Sequence, residues 1–173
     1  MDEMLRLLTF RDQLPAHLNW QAVSFIRVAW PWVDSATLCA PNDRAMRPVY
    51  FALVSGDRLI SHAAVVETEL EHAGGRYRVG GLANVFTFPA SRAQGHGRRV
   101  VAAATSHILA SGVDVAALFC RPERVRFYER SGWRTVPSPS GSDAARMMLF
   151  VSARGRAARP AFESEPFHVA EEW

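Results

Sequence analysis

Arg92, Gly95 and Gly97, spaced R-x-x-G-x-G and followed at once by Arg98 and Arg99, are suited by type and spacing to hold an anion. Glycines let backbone N–H groups close on a ligand, and a helix start offers several such groups with the positive end of its dipole behind them. The arginines add fixed charge at the same place. Such a short motif also occurs where a helix merely packs close to its strand, so the pattern alone leaves both readings open. The elements around the turn must do the positioning. Upstream, Asn84, Val85, Phe86, Thr87 and Phe88 read as an apolar strand that Pro89 stops. Downstream, Val100, Val101, Ala104, Ile108 and Leu109 recur at helical spacing until Gly112.

A second constellation lies at 124–133, where Arg124, Phe127, Tyr128, Gly132 and Trp133 suggest a short helix running into a Gly-aromatic turn. The two motifs, in this order and at this separation, resemble the GNAT superfamily of acyl-CoA N-acyltransferases over residues 50–153. The resemblance implies an α+β fold: a mixed, mostly antiparallel sheet with splayed central parallel strands and flanking helices. It also implies acetyl-CoA as co-substrate. The backbone of Val85, Phe86 and Thr87 would hold the thioester and pantetheine, and Arg92, Gln94, Gly95, His96, Gly97, Arg98 and Arg99 the pyrophosphate. Tyr128 would be the acid that protonates the departing thiolate, since a phenol with an ordinary pKa of about 10 carries its proton at neutral pH. The plain alternative is an aromatic packing residue beside Phe127. His96 reads as a surface contact rather than a catalyst.

The run at 59–66, the glycine-rich turn after it, Tyr128 with Gly132 and Trp133, and an end in Glu172 and Trp173 are similar to the aminoglycoside 2′-N-acetyltransferases. Members of that family carry a glutamate in the strand before the acetyl-CoA turn, acting through water as base. This chain has Ala83 there, with Asn84 beside it. Asn84 is the candidate to hold that water; Glu67 or Glu69 would substitute only if turned inward, and strand alternation puts both on one face, the solvated one. By the wider GNAT resemblance Trp30, Trp32 and Asp34 would border the acceptor, the tryptophans reading alternatively as core anchors. Asp43 is a further acidic contact. Glu171, Glu172 and the terminal carboxylate of Trp173 gather negative charge that would attract a cationic amine; a frayed end, or an arm exchanged within a homodimer, are the alternatives for that segment.

Composition bounds the rest. With 173 residues and 49% apolar content the chain has material for one domain of ordinary core, taken as 1–153, followed by a tail at 154–173. Arg154, Arg156, Arg159 and Pro160 read as a basic linker within that tail. The net charge of +3 is spread without a basic run, which argues against a nucleic-acid partner. Two cysteines, Cys39 and Cys120, exclude a disulfide framework, and the six histidines lack metal-ligand spacing, so no metal is expected. No apolar run reaches membrane-spanning length and the first residues are acidic, which points to a cytoplasmic protein. The expected activity is acetyl transfer from acetyl-CoA to a primary amine of a small molecule, an aminoglycoside or aminosugar-like compound. A protein or peptide N-acetyltransferase, and a non-catalytic acyl-CoA-binding module, are the alternatives.

Overall fold

The computed structural model describes residues 4–32, 38–169 and 173. Among the described residues seven strands form one sheet: β1 Leu5–Arg11, β2 Val49–Ser55, β3 Arg58–His72, β4 Gly75–Thr87, β5 Val115–Cys120, β6 Arg134–Val136 and β7 Ala145–Phe150, in the order β1-β2-β3-β4-β5-β7-β6. β1 with β2, β2 with β3, β5 with β7 and β6 with β7 pair antiparallel. β4 and β5 are parallel, in register at Val79↔Val115, Gly80↔Ala116 and Gly81↔Ala117. The sequence of β2, VYFALVS, is buried along its whole length, as expected of a strand apolar on both faces. The short β6 escapes sequence reading because three residues carry no alternation.

The helices follow from their apolar stripes. α1 Ala16–Ala29 begins after Pro15 and buries Leu18, Ala22, Val23 and Ile26, one face at helical spacing. α2 His96–Ala110 buries Val100, Val101, Ala104 and Ile108 completely, while Leu109, expected on the same stripe, is 56% exposed. Gly112 at φ 76° ends it. A 3₁₀ turn at Pro122–Arg124 leads into α3 Val125–Glu129.

Arg154, Arg156, Arg159 and Pro160, expected as a basic linker, lie in a helix instead: α4 Ala153–Ser164. Ser152 caps it, its Oγ accepting the Gly155 N–H at 3.0 Å and donating to Asp114 Oδ1 at 2.7 Å. Gly155 lies so close to the Asp114 carbonyl that no β-carbon would fit between them. The buried positions of α4, Gly155 and Phe162, are too sparse to read as an apolar stripe, and Pro160 removes one of its backbone bonds. Those two features hide the helix from a reading by periodicity.

The chain divides into two compact units, Met1–Val66 with Ala83–Ala104, and Glu67–Leu82 with Thr105–Trp173. In the first, Phe25 stacks on Phe86 at 4.2 Å and meets Phe88 edge-on at 5.1 Å, with Trp30 closing the group. In the second, Phe162 and Phe167 are fully buried among Leu70, Tyr77, Val79, Val115, Ala117, Val136 and Met148. Buried Arg146 lays its guanidinium over Phe119 and Phe167 and donates to the Phe167 carbonyl, pinning the segment after α4.

Candidate functional site

The last residues of β4 are held in an unusual way. Asn84 stands at φ 47°, in the left-handed region that a strand residue other than glycine rarely enters. Its carbonyl is 2.7 Å from His62 Nδ1. Ser61 Oγ donates to the Phe86 carbonyl at 2.9 Å, and because that hydroxyl has one hydrogen, Thr87 Oγ1 must be the donor in the 2.8 Å contact between the two hydroxyls. Arg92 Nε reaches back to the Thr87 carbonyl at 3.0 Å. Three side chains thus fix three carbonyls in four residues, and two of those side chains come from β3.

The turn that follows has the backbone an anion needs. Ala93 at φ 61° and Gly95 at φ 81° are left-handed on either side of Gln94, an alternation that makes a concave row of N–H groups. No atom crowds a β-carbon at Gly95, so glycine is required there for conformation rather than space. The first helical hydrogen bond of α2 runs from the Arg99 N–H to the Gly95 carbonyl at 3.2 Å. The N–H groups of His96, Gly97 and Arg98 therefore precede the helical ladder and face outward as donors. Arg92, Arg98 and Arg99 are exposed beside them. His96 departs from expectation: it is buried, not a surface contact.

Within the second unit Tyr128 is buried on α3, its ring edge-on to Phe127 at 4.9 Å. Burial pushes its phenol well above the usual range, Cys120 adds to the rise, and Arg124 opposes it. The hydroxyl therefore keeps its proton at any working pH. Trp133, in the Gly-aromatic turn, is buried and donates Nε1–H to Thr105 Oγ1 at 3.1 Å.

A family model described as the acetyltransferase (GNAT) domain matches residues 21–136. The chain belongs to the GNAT family of acyl-CoA N-acyltransferases. Its fold is shared by an aminoglycoside 6′-N-acetyltransferase complexed with coenzyme A, 16% identical with a TM-score of 0.63 over 86% of this chain and 98% of that one. An acyl-CoA N-acyltransferase from Pseudomonas aeruginosa is 14% identical with a TM-score of 0.62, covering 84% and 99%. A larger protein of unknown function from Enterococcus faecalis, 14% identical with a TM-score of 0.58, aligns with 77% of this chain, which spans 33% of its length. No curated protein sequence matches the chain.

The acceptor residues expected of this GNAT domain are only partly brought together. Asp34, Glu171 and Glu172 lie outside the described residues. Trp32 is 69% exposed, whereas Trp30 packs against Phe25 and Phe86. Trp173 is placed on β4, its indole against Gly81 and edge-on to Phe119 at 5.1 Å. Asp43 caps the 3₁₀ turn Arg44–Met46 through the Ala45 N–H, at 2.9 Å, so it serves the loop. Glu69 is exposed and paired with Arg76, which puts it on the solvated face. Asn84 Nδ2 bonds the Pro41 carbonyl at 2.7 Å and Asn42 Oδ1 at 3.2 Å, tying the loop to the strand.

Among the described residues no group of three or more His, Cys, Asp and Glu is arranged to hold a metal, and no helix is long and apolar enough to cross a membrane. Sequence reasoning missed His62 and Ser61. The alternation in β3 shows that they take opposite faces, but nothing in it shows which carbonyls they meet.

Proposed function

We propose that this protein is an acetyl-CoA-dependent N-acetyltransferase acting on a primary amine of a small molecule, with an aminosugar as the compound class to test first. The observation that carries the reading is the stretch from Asn84 to Arg99. Side chains fix the carbonyls of Asn84, Phe86 and Thr87, and after a 3₁₀ turn at Pro89–Ser91 the chain enters the left-handed turn at Ala93 and Gly95, whose N–H groups suit an anion. That arrangement suits a ligand with a pyrophosphate at one end and an amide-bearing arm laid along residues 85–87. Acyl-CoA supplies the activated thioester. The chain's residues align it, and Tyr128, in the role the family resemblance gives it, carries the proton for the leaving sulfur.

A neutral amine forms the new C–N bond as the C–S bond breaks, and it gives up one proton to solvent or to a water on Asn84 Oδ1. Partly exposed Phe25, Trp30 and Phe88 around Phe86 offer ring faces that attract an amine-bearing substrate. The preference for a small amine over a protein amine draws on the aminoglycoside 6′-N-acetyltransferase among the structures sharing this fold. The 2′ position is part of this proposal, since it rests on the sequence resemblance alone.

The test has two arms. Coenzyme A titrated calorimetrically should bind the wild-type protein and bind Gly97→Val at least tenfold more weakly, because a branched side chain would block the first turn of α2. Undiminished affinity would remove the site from this turn. Acetyl transfer to a panel of aminosugars, polyamines and peptides, read by product mass, then separates the acceptor classes. Binding without transfer to any amine would favour the non-catalytic acyl-CoA module, a reading that draws on Ala83 where related enzymes have a glutamate.

A further inference from the structure

His62 is the buried titratable group that the proposed chemistry does not use, and it sits against the strand that chemistry depends on. It is fully buried on β3, its ring stacked on Phe86 at 4.9 Å and 18°. The Asn84 carbonyl can only accept, so Nδ1 carries the hydrogen and Nε2 is left as a bare lone pair. Nε2 is buried without a hydrogen-bond partner among the described residues, and the ring of Tyr50 lies 5.7 Å from the imidazole. Burial lowers the imidazole to about 4, the bond to Asn84 only partly offsetting it. A group so weakly basic and so enclosed is a poor proton acceptor for an amine.

What remains is the bond to Asn84. A left-handed non-glycine residue persists in a strand only where its surroundings over-determine it. Here two ties do so: His62 Nδ1 on the Asn84 carbonyl, and Asn84 Nδ2 on the loop at Pro41 and Asn42. We infer that His62 is a positioning residue for the acyl-CoA arm: its Nδ1–H holds Asn84 in the left-handed conformation and thereby aims the backbone of residues 85–87. This rests on the reading that acyl-CoA lies along those residues.

The experiment compares two ligands on four proteins by calorimetry: coenzyme A, and its 3′-phosphorylated ADP head without the pantetheine arm. His62→Leu removes the donor; His62→Asn keeps an N–H where Nδ1 stood; Tyr50→Phe disturbs the same enclosed region and spares the bond. His62→Met takes the place of His62→Leu if the latter does not fold. Losing one aligned hydrogen bond should weaken coenzyme A about tenfold in His62→Leu, with His62→Asn and Tyr50→Phe within about threefold of wild type. The head alone should bind all four equally.

Equal coenzyme A affinity in His62→Leu, or an equal loss of both ligands, would overturn the inference while leaving the site assignment standing. Wild-type protein that binds neither ligand would overturn the site assignment, and the inference with it.

Discussion

The indole of Trp173 occupies the space that any side chain at Gly81 would need: a β-carbon there would clash with indole Nε1 and Cε2. Gly81 belongs to the parallel register with β5, opposite Ala117, and Phe119 two residues on meets the same indole. A glycine that looks dispensable in sequence is thus the floor on which the final residue rests. The indole Nε1 is buried without a partner among the described residues, so the contact is apolar rather than hydrogen-bonded.

Gly81→Ala should therefore displace Trp173 without unfolding the strand, and lower stability by about 1 to 3 kcal/mol, the scale of overpacking. Tail release is measured as faster carboxypeptidase trimming and a shift in tryptophan emission. Deleting residues 171–173 should raise KM for the amine with coenzyme A affinity intact if the tail borders the acceptor. Unchanged amine kinetics would confine the tail to a structural role.

The enclosed imidazole of His62 makes stability depend on pH in a defined direction. Its folded value of about 4 lies below the ordinary 6.5, so between those values the unfolded chain binds a proton that the folded chain refuses. Stability is complete above pH 6.5 and falls as pH drops toward 4. The loss between pH 7 and 5 is about 2 kcal/mol. Denaturant midpoints for wild type and His62→Asn check this, since the variant should lack that part of the decline.

How far the sequence reaches is clearest at β4 and its turn. The apolar run ending at Pro89, the spacing of Arg92, Gly95 and Gly97, and the stripe of α2 are local patterns, and the structure follows them. The left-handed Asn84 leaves no local trace, because a tie from β3 and another from the loop at Pro41 hold it. Long-range bonds of that kind are invisible to periodicity. α4 fails for a related reason, since what anchors it is the close approach of Gly155 to the Asp114 carbonyl and the one buried ring of Phe162, and not a wide apolar face.

Tyr128 is raised by burial, so its phenol should add no alkaline limb to the pH–rate profile below pH ~10. Replacing it with Phe keeps the contact with Phe127 and removes only the hydroxyl. If that hydroxyl protonates the leaving thiolate, turnover should fall about a hundredfold with coenzyme A affinity nearly unchanged. Turnover at the wild-type level would leave Tyr128 a packing residue and solvent the proton donor.

The two cysteines should differ sharply in reactivity, and the difference bears on how turnover is measured. Cys39 is exposed; Cys120, at the end of β5, is buried, and that burial, with Glu123 adding to it, pushes its thiol up to about 11. Since the thiolate is the reacting form, a disulfide reagent at pH 8 should modify one thiol per chain quickly and the second only after denaturant is added. Acyl transfer releases the thiol of coenzyme A, so an assay with such a reagent should show a burst of one equivalent from the protein before the steady rate. Cys39→Ser should abolish that burst and leave the rate unchanged. Two equivalents modified in the native protein would show that Cys120 is accessible and that β5 opens at its end.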